Sequence, residues 1–315
     1  MFQLWLCSTL RQRYCDLVFA SAAVLVLNVF TLAQQPGQKT FRSPEDASKA
    51  LYSAVQSNNP SAMIEIFGPD ANEIISTGDP VEDENTRDQF VTKYKEMHHV
   101  GGDENGTTTL YIGAEDWPLP VPLVRESGMW HFDTEAGKEE ILYRRVGENE
   151  LVAMNVCHAL VEAESDYYNQ PRDGQIRQYA QTMVSDEGRH NGLFWETADG
   201  EPVSPIGALV AYASAATSST AQKYENSPFH GYYFRIVTAQ GRAASGGARS
   251  YIVNGQMTGG FAILAYPAEY RSSGVMTFIV NQTGVLYQKD VGAVTVELGS
   301  NMKEYAPDDT WKKVE

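Results

Sequence analysis

Apolar positions near residue 50 recur at the spacing of an α-helix. Ser43-Pro44-Glu45-Asp46 supplies the capping hydroxyl, the early proline and the acidic first turn that helix N-termini prefer. Asn59-Pro60 opens a second, shorter helical segment, and a third runs from about Glu84 to His99 with its apolar residues on one side. We therefore predict three helices before the first strand.

The pattern then changes to the two-residue period of β-strands. Thr107 to Ile112 and Met129 to Asp133 alternate between their two faces. Between them three prolines of one parity lack backbone donors, so this segment should pair along one side: Pro118, Pro120 and Pro122. Helices followed by strands with a Trp-Pro corner resemble the cone-shaped nuclear transport factor 2-like fold, over about residues 41–137. The resemblance implies a sheet curled around a pocket.

The second half begins with a long helical pattern and ends in short strands. Apolar residues keep helical spacing from Lys138 to Tyr167, interrupted by Gly147, and Ile176 to Met183 predicts a further helical turn or two. Glycine, proline, serine and asparagine then separate four apolar segments that read as strands: residues 232–238, 261–266, 276–280 and 285–288.

This β-rich region resembles the C-terminal head of type IV pilins and pseudopilins. The features that match are Gly231-Tyr232-Tyr233-Phe234, Ala265-Tyr266-Pro267 and the hairpin from Phe278 to Val285. The chain departs from pilins in its helix, which carries five carboxylates where a pilin helix is apolar: Glu148, Glu150, Glu162, Glu164 and Asp166. These charges argue against a membrane-embedded fibre helix.

Together the patterns predict an α+β chain with two folded domains. A cone-like α+β domain is expected over residues 44–146, and a long helix with a pilin-like antiparallel β-sheet domain over residues 147–300. Residues 1–33 are expected to be a signal peptide, residues 34–43 a flexible linker and residues 301–315 a C-terminal tail.

The signal peptide is predicted from its three regions. Arg11 and Arg13 precede an apolar run from Leu17 to Leu32, and small residues ending at Ala33 provide a cleavage site. The run is shorter than the ~20 residues that cross a bilayer, so cleavage is favoured over a retained anchor. We expect a secreted or periplasmic protein with no membrane span after cleavage near Ala33.

The net charge and the cysteine content limit the binding partners and the disulfide chemistry that we expect. The net charge of −16 disfavours nucleic-acid binding, which needs a phosphate-neutralising surface, and favours small or cationic partners. Cys157 is the one cysteine after the cleavage point, so the mature chain has no intramolecular disulfide. Its place in a helical apolar stripe predicts a buried, unreactive thiol.

Several long blocks resemble the bacterial domain-of-unknown-function family 2950, over about residues 41–292. They include WPLPVPLV from Trp117, FHGYYFRIVTAQG from Phe229, and GGFAILAYPAEY from Gly259. The resemblance implies an extracytoplasmic protein and carries no catalytic residues with it.

Candidate chemistry is sparse. The chain has no zincin motif, Cys-x-x-Cys pair, Walker loop, nucleophile elbow or dinucleotide fingerprint, so neither cofactor nor metal is expected. His131 and Asp133 share a strand face, where Asp133 could orient His131 as a general base; a polar sheet edge is the alternative. Tyr94 and Trp117 would then be the pocket walls.

Two further charged groups carry hypotheses. Adjacent His98 and His99, placed at a helix end, would diverge by about 100° and chelate a metal poorly. Arg144 and Arg145 lie among acidic residues at the predicted domain junction, with Glu140 at the favourable i, i+4 position. An ordinary helix pair is one interpretation, and an interdomain clamp is the other.

Three functions remain open on the sequence. The favoured one is a secreted, non-enzymatic module for ligand binding or envelope assembly, whose partner is an unknown small ligand or envelope protein. The alternative is a small-molecule hydrolase or isomerase that uses His131 and Asp133. The third is homo-oligomerisation through the edge of the pilin-like sheet.

Overall fold

The computed structural model of the chain describes residues 34–76, 80–102, 107–171, 174, 176–197, 203–207 and 228–314. These residues form an α+β protein, which confirms the predicted fold class. The backbone separates into two compact units, one ending at Arg145 (unit 1) and the other beginning at Val146 (unit 2). The predicted signal peptide lies outside the described residues.

Unit 1 begins with helices whose caps are the residues that the sequence supplies. The helices are α1 (Pro44–Gln56), α2 (Pro60–Phe67), α3 (Asn72–Ile75) and α4 (Pro80–Glu96). The Ser43 hydroxyl accepts a hydrogen bond from the Asp46 amide at 3.1 Å, and Asn59 Oδ1 accepts one from the Ala62 amide at 3.1 Å. Each bond satisfies an amide that has no partner inside the helix.

An antiparallel five-stranded sheet completes the fold of unit 1. Its strands are β1 (His98–Gly102), β2 (Thr108–Ile112), β3 (Trp117–Pro118), β4 (Leu123–Glu126) and β5 (Met129–Phe132). They are ordered β1-β2-β4-β5, and β3 also pairs with β2. Within the proline-rich segment, the Leu119 amide donates to the Leu110 carbonyl at 2.7 Å. This bond agrees with the expected pairing of the odd-numbered amides.

The helices cover one face of this sheet. Phe67 of α2 meets Phe132 of β5 edge to face, with ring centroids 5.1 Å apart. Large side chains that are also fully buried in this core include Leu51, Ile66, Ile74, Phe90, Leu110 and Ile112. Burying each such side chain contributes about 1.5–3 kcal/mol to the stability of unit 1.

The end of α4 differs from the prediction. The helix ends at Glu96, and His98 and His99 belong to β1 instead. Val100 and the two glycines that follow favour leaving the helix. The imidazole Nδ1 of His98 lies 2.8 Å from the Tyr94 carbonyl, where it can satisfy a group at the helix end. Because the two histidines now alternate along a strand, their side chains point to opposite faces.

Residues 34–43, expected to be a flexible linker, make specific contacts in unit 1. The buried Gln38 amide donates to the carbonyls of Ile66 and Phe132, at 3.2 and 2.7 Å. Phe41 and Trp130 exchange two backbone hydrogen bonds at 2.8 Å. This segment therefore extends the pairing of β5.

One helix links the two units in sequence. Helix α5 runs from Thr134 to Asn169, and the border between the units falls inside it. It starts earlier than Lys138 because the Asp133 carboxylate caps the Ala136 amide at 3.0 Å. Gly147 lies within it without ending it. No helix in the described ranges is both long and apolar enough to cross a membrane.

The sheet of unit 2 contains the four predicted strands and one more. It is antiparallel in the order β16-β15-β14-β13-β8. The ranges are β8 (Tyr232–Val237), β13 (Ala262–Pro267), β14 (Met276–Asn281), β15 (Leu286–Asp290) and β16 (Lys312–Lys313). The additional strand, β16, comes from the residues expected to be a C-terminal tail, whose Tyr305 is also buried.

Short two-stranded pairs flank this sheet along the chain. Strand β6 (Thr182–Val184) runs parallel to β7 (Gly192–Phe194), while β9 (Ala239–Gln240) and β10 (Arg249–Ser250) are antiparallel. Strand β11 (Ile252–Val253) pairs with β12 (Gln256–Met257) in a hairpin. The final helix, α6 (Thr295–Asn301), packs Gly299 against the ring of Tyr266.

The part of α5 in unit 2 shares one apolar core with the sheet. Its core residues are Ala153, Val156, Cys157, Leu160 and Ala163. Cys157 is fully buried, and burial raises the pKa of its thiol. The prediction of a buried thiol is confirmed. Glu150 anchors the start of β14, since its carboxylate accepts the amides of Val275 and Met276 at 2.9 and 3.0 Å.

The segment after α5 is extended, although a helical turn was predicted there. The Tyr179 amide donates to the Met257 carbonyl at 2.9 Å, and the Ala180 amide donates to the Glu164 carboxylate at 2.8 Å. Both donors are therefore used by partners distant in sequence, and neither is available for a helical bond. Tyr179, Ala180 and Met183 pack into the core of unit 2 from this extended segment, whereas Ile176 is exposed.

Candidate functional site

His131, the proposed general base, is buried in the sheet of unit 1. It lies opposite Val124, and its exposed fraction is 3%. Its neighbour Phe132 faces the helices, so the imidazole points to the other side of the sheet. The buried Nδ1 atom has no hydrogen-bond partner in the structure as described. Burial lowers the pKa of His131, and the charges of Glu126 and Asp133 oppose that effect.

Asp133 has a backbone role at the start of α5. Its carboxylate accepts the Ala136 amide at 3.0 Å, and its own amide donates to the Pro122 carbonyl at 2.8 Å. A hydrogen bond from His131 Nδ1 to this carboxylate does not occur between these two described residues. The structure therefore uses the carboxylate as a helix cap.

Tyr94, one of the two expected pocket walls, lies between two other rings. Its ring is stacked on Tyr52 of α1, with centroids 4.4 Å apart, and on His98 of β1, with centroids 3.8 Å apart. Its hydroxyl is 2.9 Å from the Ser48 hydroxyl. Tyr94 is buried, Tyr52 is half-buried and His98 is exposed. Burial raises the pKa of Tyr94, and the hydrogen bond with Ser48 opposes this.

A second ring pair lies on the other face of β1. His99 stacks on Tyr111 of β2, with centroids 5.0 Å apart and planes 10° from parallel. His99 Nδ1 is 3.6 Å from the Asp116 carboxylate, and both side chains are at least half exposed. We call Tyr52, Tyr94, His98, His99 and Tyr111 the β1 aromatic cluster. It presents accessible imidazoles on both faces of one terminal strand.

Trp117, the other expected wall, is buried beside this cluster. The register places Trp117 opposite Ile112, and Ile112 opposite His98. Two strand spacings of about 4.8 Å therefore separate Trp117 from His98. The Arg144 guanidinium lies over the Trp117 ring, 5.1 Å from its centroid. Tyr94 and Trp117 thus share one side of unit 1, whereas His131 faces the other side of the sheet.

Arg144 also binds two other groups of unit 1. Its Nε donates to Glu140 at 2.6 Å, which forms the expected i, i+4 pair, and a terminal nitrogen donates to the Pro118 carbonyl at 2.8 Å. The interdomain clamp proposed for Arg144 and Arg145 stays a prediction.

A small apolar cavity lies between the helices of unit 1. It is lined by Leu51, Val55, Met63, Phe67, Ile75 and Phe90, with Arg87 the one charged residue. His131, Asp133, Tyr94 and Trp117 are not part of its lining. In the described ranges, no three histidine, cysteine, aspartate or glutamate side chains are grouped to hold a metal ion.

Comparison with known proteins places the chain in a family. Residues 38–314 match the family model described as a protein of unknown function (DUF2950). The chain belongs to the DUF2950 family. The resemblance found in the sequence is thereby confirmed, and the DUF2950 match includes residues from both units. No curated protein and no solved structure matches the chain. The pilin-like and nuclear transport factor 2-like resemblances remain expectations.

Sequence reasoning missed most of the DUF2950 protein's β1 aromatic cluster. The sequence predicts a pocket role for Tyr94 alone, places His98 and His99 at a helix end, and gives no signal for Tyr52 or Tyr111. The signal that could have separated them was Val100-Gly101-Gly102, which disfavours helix immediately after the histidines.

Proposed function

We propose that this DUF2950 protein is an extracytoplasmic, non-enzymatic binding protein whose ligand site is the β1 aromatic cluster. The observation that carries the proposal is the pair of accessible ring stacks on the two faces of β1. Flat rings with polar edges provide contact area and hydrogen bonds at low entropic cost, as binding sites require. The signal-peptide pattern of the first 33 residues supports an extracytoplasmic location.

The electrostatics of the cluster favour a ligand that is neutral or cationic. Asp116 lies beside His99, and the chain as a whole carries a net charge of −16. A cation over a tyrosine ring gains about 0.5–2 kcal/mol from the ring quadrupole, depending on how far it is desolvated. Anionic ligands would be repelled by the same charges.

A melting-temperature screen against envelope-derived small molecules tests the proposal. A ligand at a hundredfold excess over its dissociation constant stabilises the folded state by about 2.7 kcal/mol, which raises the melting temperature by several degrees. We expect at least one such compound for the wild type, and no shift for His99→Ala/Tyr111→Ala. Tyr143→Ala, at an exposed tyrosine outside the cluster, is the matched control and should respond like the wild type. A shift that persists in the double variant would refute the site.

A hydrolase or isomerase is the second candidate, and the unpartnered Nδ1 of His131 is the observation that favours it. A neutral imidazole with a free nitrogen can accept a proton. The capping role of Asp133 weighs against it, since the carboxylate is already bonded to the Ala136 amide. A screen of small-molecule substrates for hydrolysis or isomerisation tests this candidate. Activity that disappears in His131→Ala would establish the enzyme, whereas activity retained by that variant would exclude catalysis by His131.

A further inference from the structure

Within the part of the chain that the structure describes, strand β1 is a terminal strand of the sheet in unit 1. It is the terminal strand in the order β1-β2-β4-β5 and pairs with β2 on one side. Its sequence, HHVGG, contains no proline and no lysine or glutamate, which are the residues that proteins use to block such edges. The strand is exposed at both ends and half-buried in the middle.

The register shows which backbone groups of β1 point outward. The Leu110 carbonyl accepts the Leu119 amide, so the backbone groups of Leu110 face away from β1. Along an antiparallel strand these groups alternate in direction, and directly opposed residues share the same state. Val100 is opposite Leu110, and therefore its N–H and C=O point away from β2. The same holds for Gly102, two residues on.

The side chains on β1 and β2 indicate which residues an added strand would carry opposite β1. On the face away from the helices, Gly101 has no side chain, and a Cβ there would lie 3.1 Å from the Tyr111 ring. A residue opposite Gly101 on an added strand would therefore rest against that ring, which suits an apolar side chain. A residue opposite His99 would lie beside the imidazole, and the long cationic side chain of lysine or arginine would extend past it toward the Asp116 carboxylate.

We propose that β1 binds an extended segment of a partner protein as an added strand, and that this segment carries a basic and an apolar residue two positions apart. Main-chain hydrogen bonds to Val100 and Gly102 would supply affinity, while His99, Asp116 and Tyr111 would select the side chains. The net charge of −16 is complementary to such a segment. This inference rests on the proposed binding function and specifies the partner of the same site.

The test uses a short threonine-based peptide that carries one lysine and one valine two positions apart, added to the wild-type protein. We expect saturable binding and at least tenfold slower hydrogen exchange at the Val100 and Gly102 amides. A peptide of the same charge, N-methylated on the residues that would donate to β1, should bind at least tenfold more weakly. Equal binding of the two peptides would show plain charge attraction and overturn strand addition, and so would an absence of binding.

Two protein variants sharpen the result. Val100→Pro removes an outward donor without removing a bond to β2, and proline is tolerated at such an edge position. It should weaken peptide binding at least tenfold at an unchanged melting temperature. If Val100→Pro fails to fold, the comparison of the two peptides on the wild-type protein still decides. Small-molecule stabilisation that depends on His99 and Tyr111, together with no peptide binding, would leave the proposed function standing and remove this inference alone.

Discussion

At the scale of single residues, the most unusual group is Glu164 in the core of unit 2. Its side chain is fully buried; one carboxylate oxygen accepts the Ala180 amide at 2.8 Å, and the other has no partner in the part of the chain that the structure describes. Burial raises the pKa of Glu164 well above its ordinary value, and the hydrogen bond from Ala180 opposes this only in part. The protonated form is therefore favoured in the folded state.

Stability should consequently fall as pH rises. Below about pH 4 glutamate is protonated in both states, and Glu164 contributes no pH dependence. Above that value the unfolded chain releases the proton while the folded chain keeps it, so the free energy of unfolding decreases up to the raised pKa. We expect Glu164→Gln to be more stable than the wild type by more than about 1 kcal/mol at pH 8, and equally stable near pH 3. Urea unfolding at both values measures this.

A matched control is available on the same helix. Glu162 is exposed, and Glu162→Gln should change stability by less than about 0.5 kcal/mol at either pH. An equal gain for both variants at pH 8 would point to relief of the general negative charge, and would contradict the account of Glu164.

Arg144 is the residue whose contacts support a quantitative prediction in unit 1. Arg144→Ala loses a charged hydrogen bond to the Pro118 carbonyl and the contact over the Trp117 ring. We expect the free energy of unfolding of unit 1 to decrease by about 1–3 kcal/mol, as measured by tryptophan fluorescence during denaturant unfolding. Arg125→Ala, at an exposed arginine on β4, should leave the free energy of unfolding nearly unchanged.

The clamp hypothesis makes a separate prediction for Arg144 and Arg145. Charge reversal at either residue should loosen the packing between the domains; an unchanged melting temperature and unchanged protease sensitivity would contradict it.

At the scale of elements, the sequence predicts the features that depend on neighbouring residues, such as the starts of helices. Ser43 and Asn59 cap helices as the sequence suggests, because a cap depends on residues three positions apart. The end of α4 could not be read in the same way, since helix and strand compete there and β2 decides the outcome through pairing. The helical prediction for residues 176–184 is wrong for a similar reason: the Ala180 amide donates a hydrogen bond to Glu164, sixteen positions away.

The edges of the unit 2 sheet bear on the third hypothesis, homo-oligomerisation. Terminal strand β16 consists of the exposed residues Lys312 and Lys313. Lysines on an edge strand oppose pairing with another chain, because like charges would meet. We expect Lys312→Thr/Lys313→Thr to raise the fraction of dimer in light scattering at high concentration, relative to the wild type. An unchanged fraction of monomer would show that these lysines do not prevent pairing at the edge of the sheet.

At the scale of the whole molecule, family membership and fold class followed from the sequence, but the β1 aromatic cluster did not. The stacking of His99 on Tyr111 depends on the register of β1 and β2, and that of Tyr94 on Tyr52 depends on how α4 packs against α1. Neither is encoded in local spacing. Strand parity alone predicts the pairing of His131 with Asp133, but the Asp133 carboxylate instead accepts the Ala136 amide at the start of α5.

The extracytoplasmic part of the proposal has its own test. N-terminal sequencing of the protein isolated from the cells that make it should begin near Gln34, after removal of the first 33 residues. A protein that still starts at Met1 and sediments with membranes would support a retained anchor. A full-length protein in the cytoplasmic fraction would contradict the localisation.

The most direct test of the central claim is native mass spectrometry of the protein purified from its own envelope. The account predicts extra bound mass on the wild type and on Tyr143→Ala, and its loss from His99→Ala/Tyr111→Ala at an unchanged melting temperature. Extra mass that remains on the double variant, or a wild type that carries none after gentle isolation, would contradict binding at the β1 aromatic cluster.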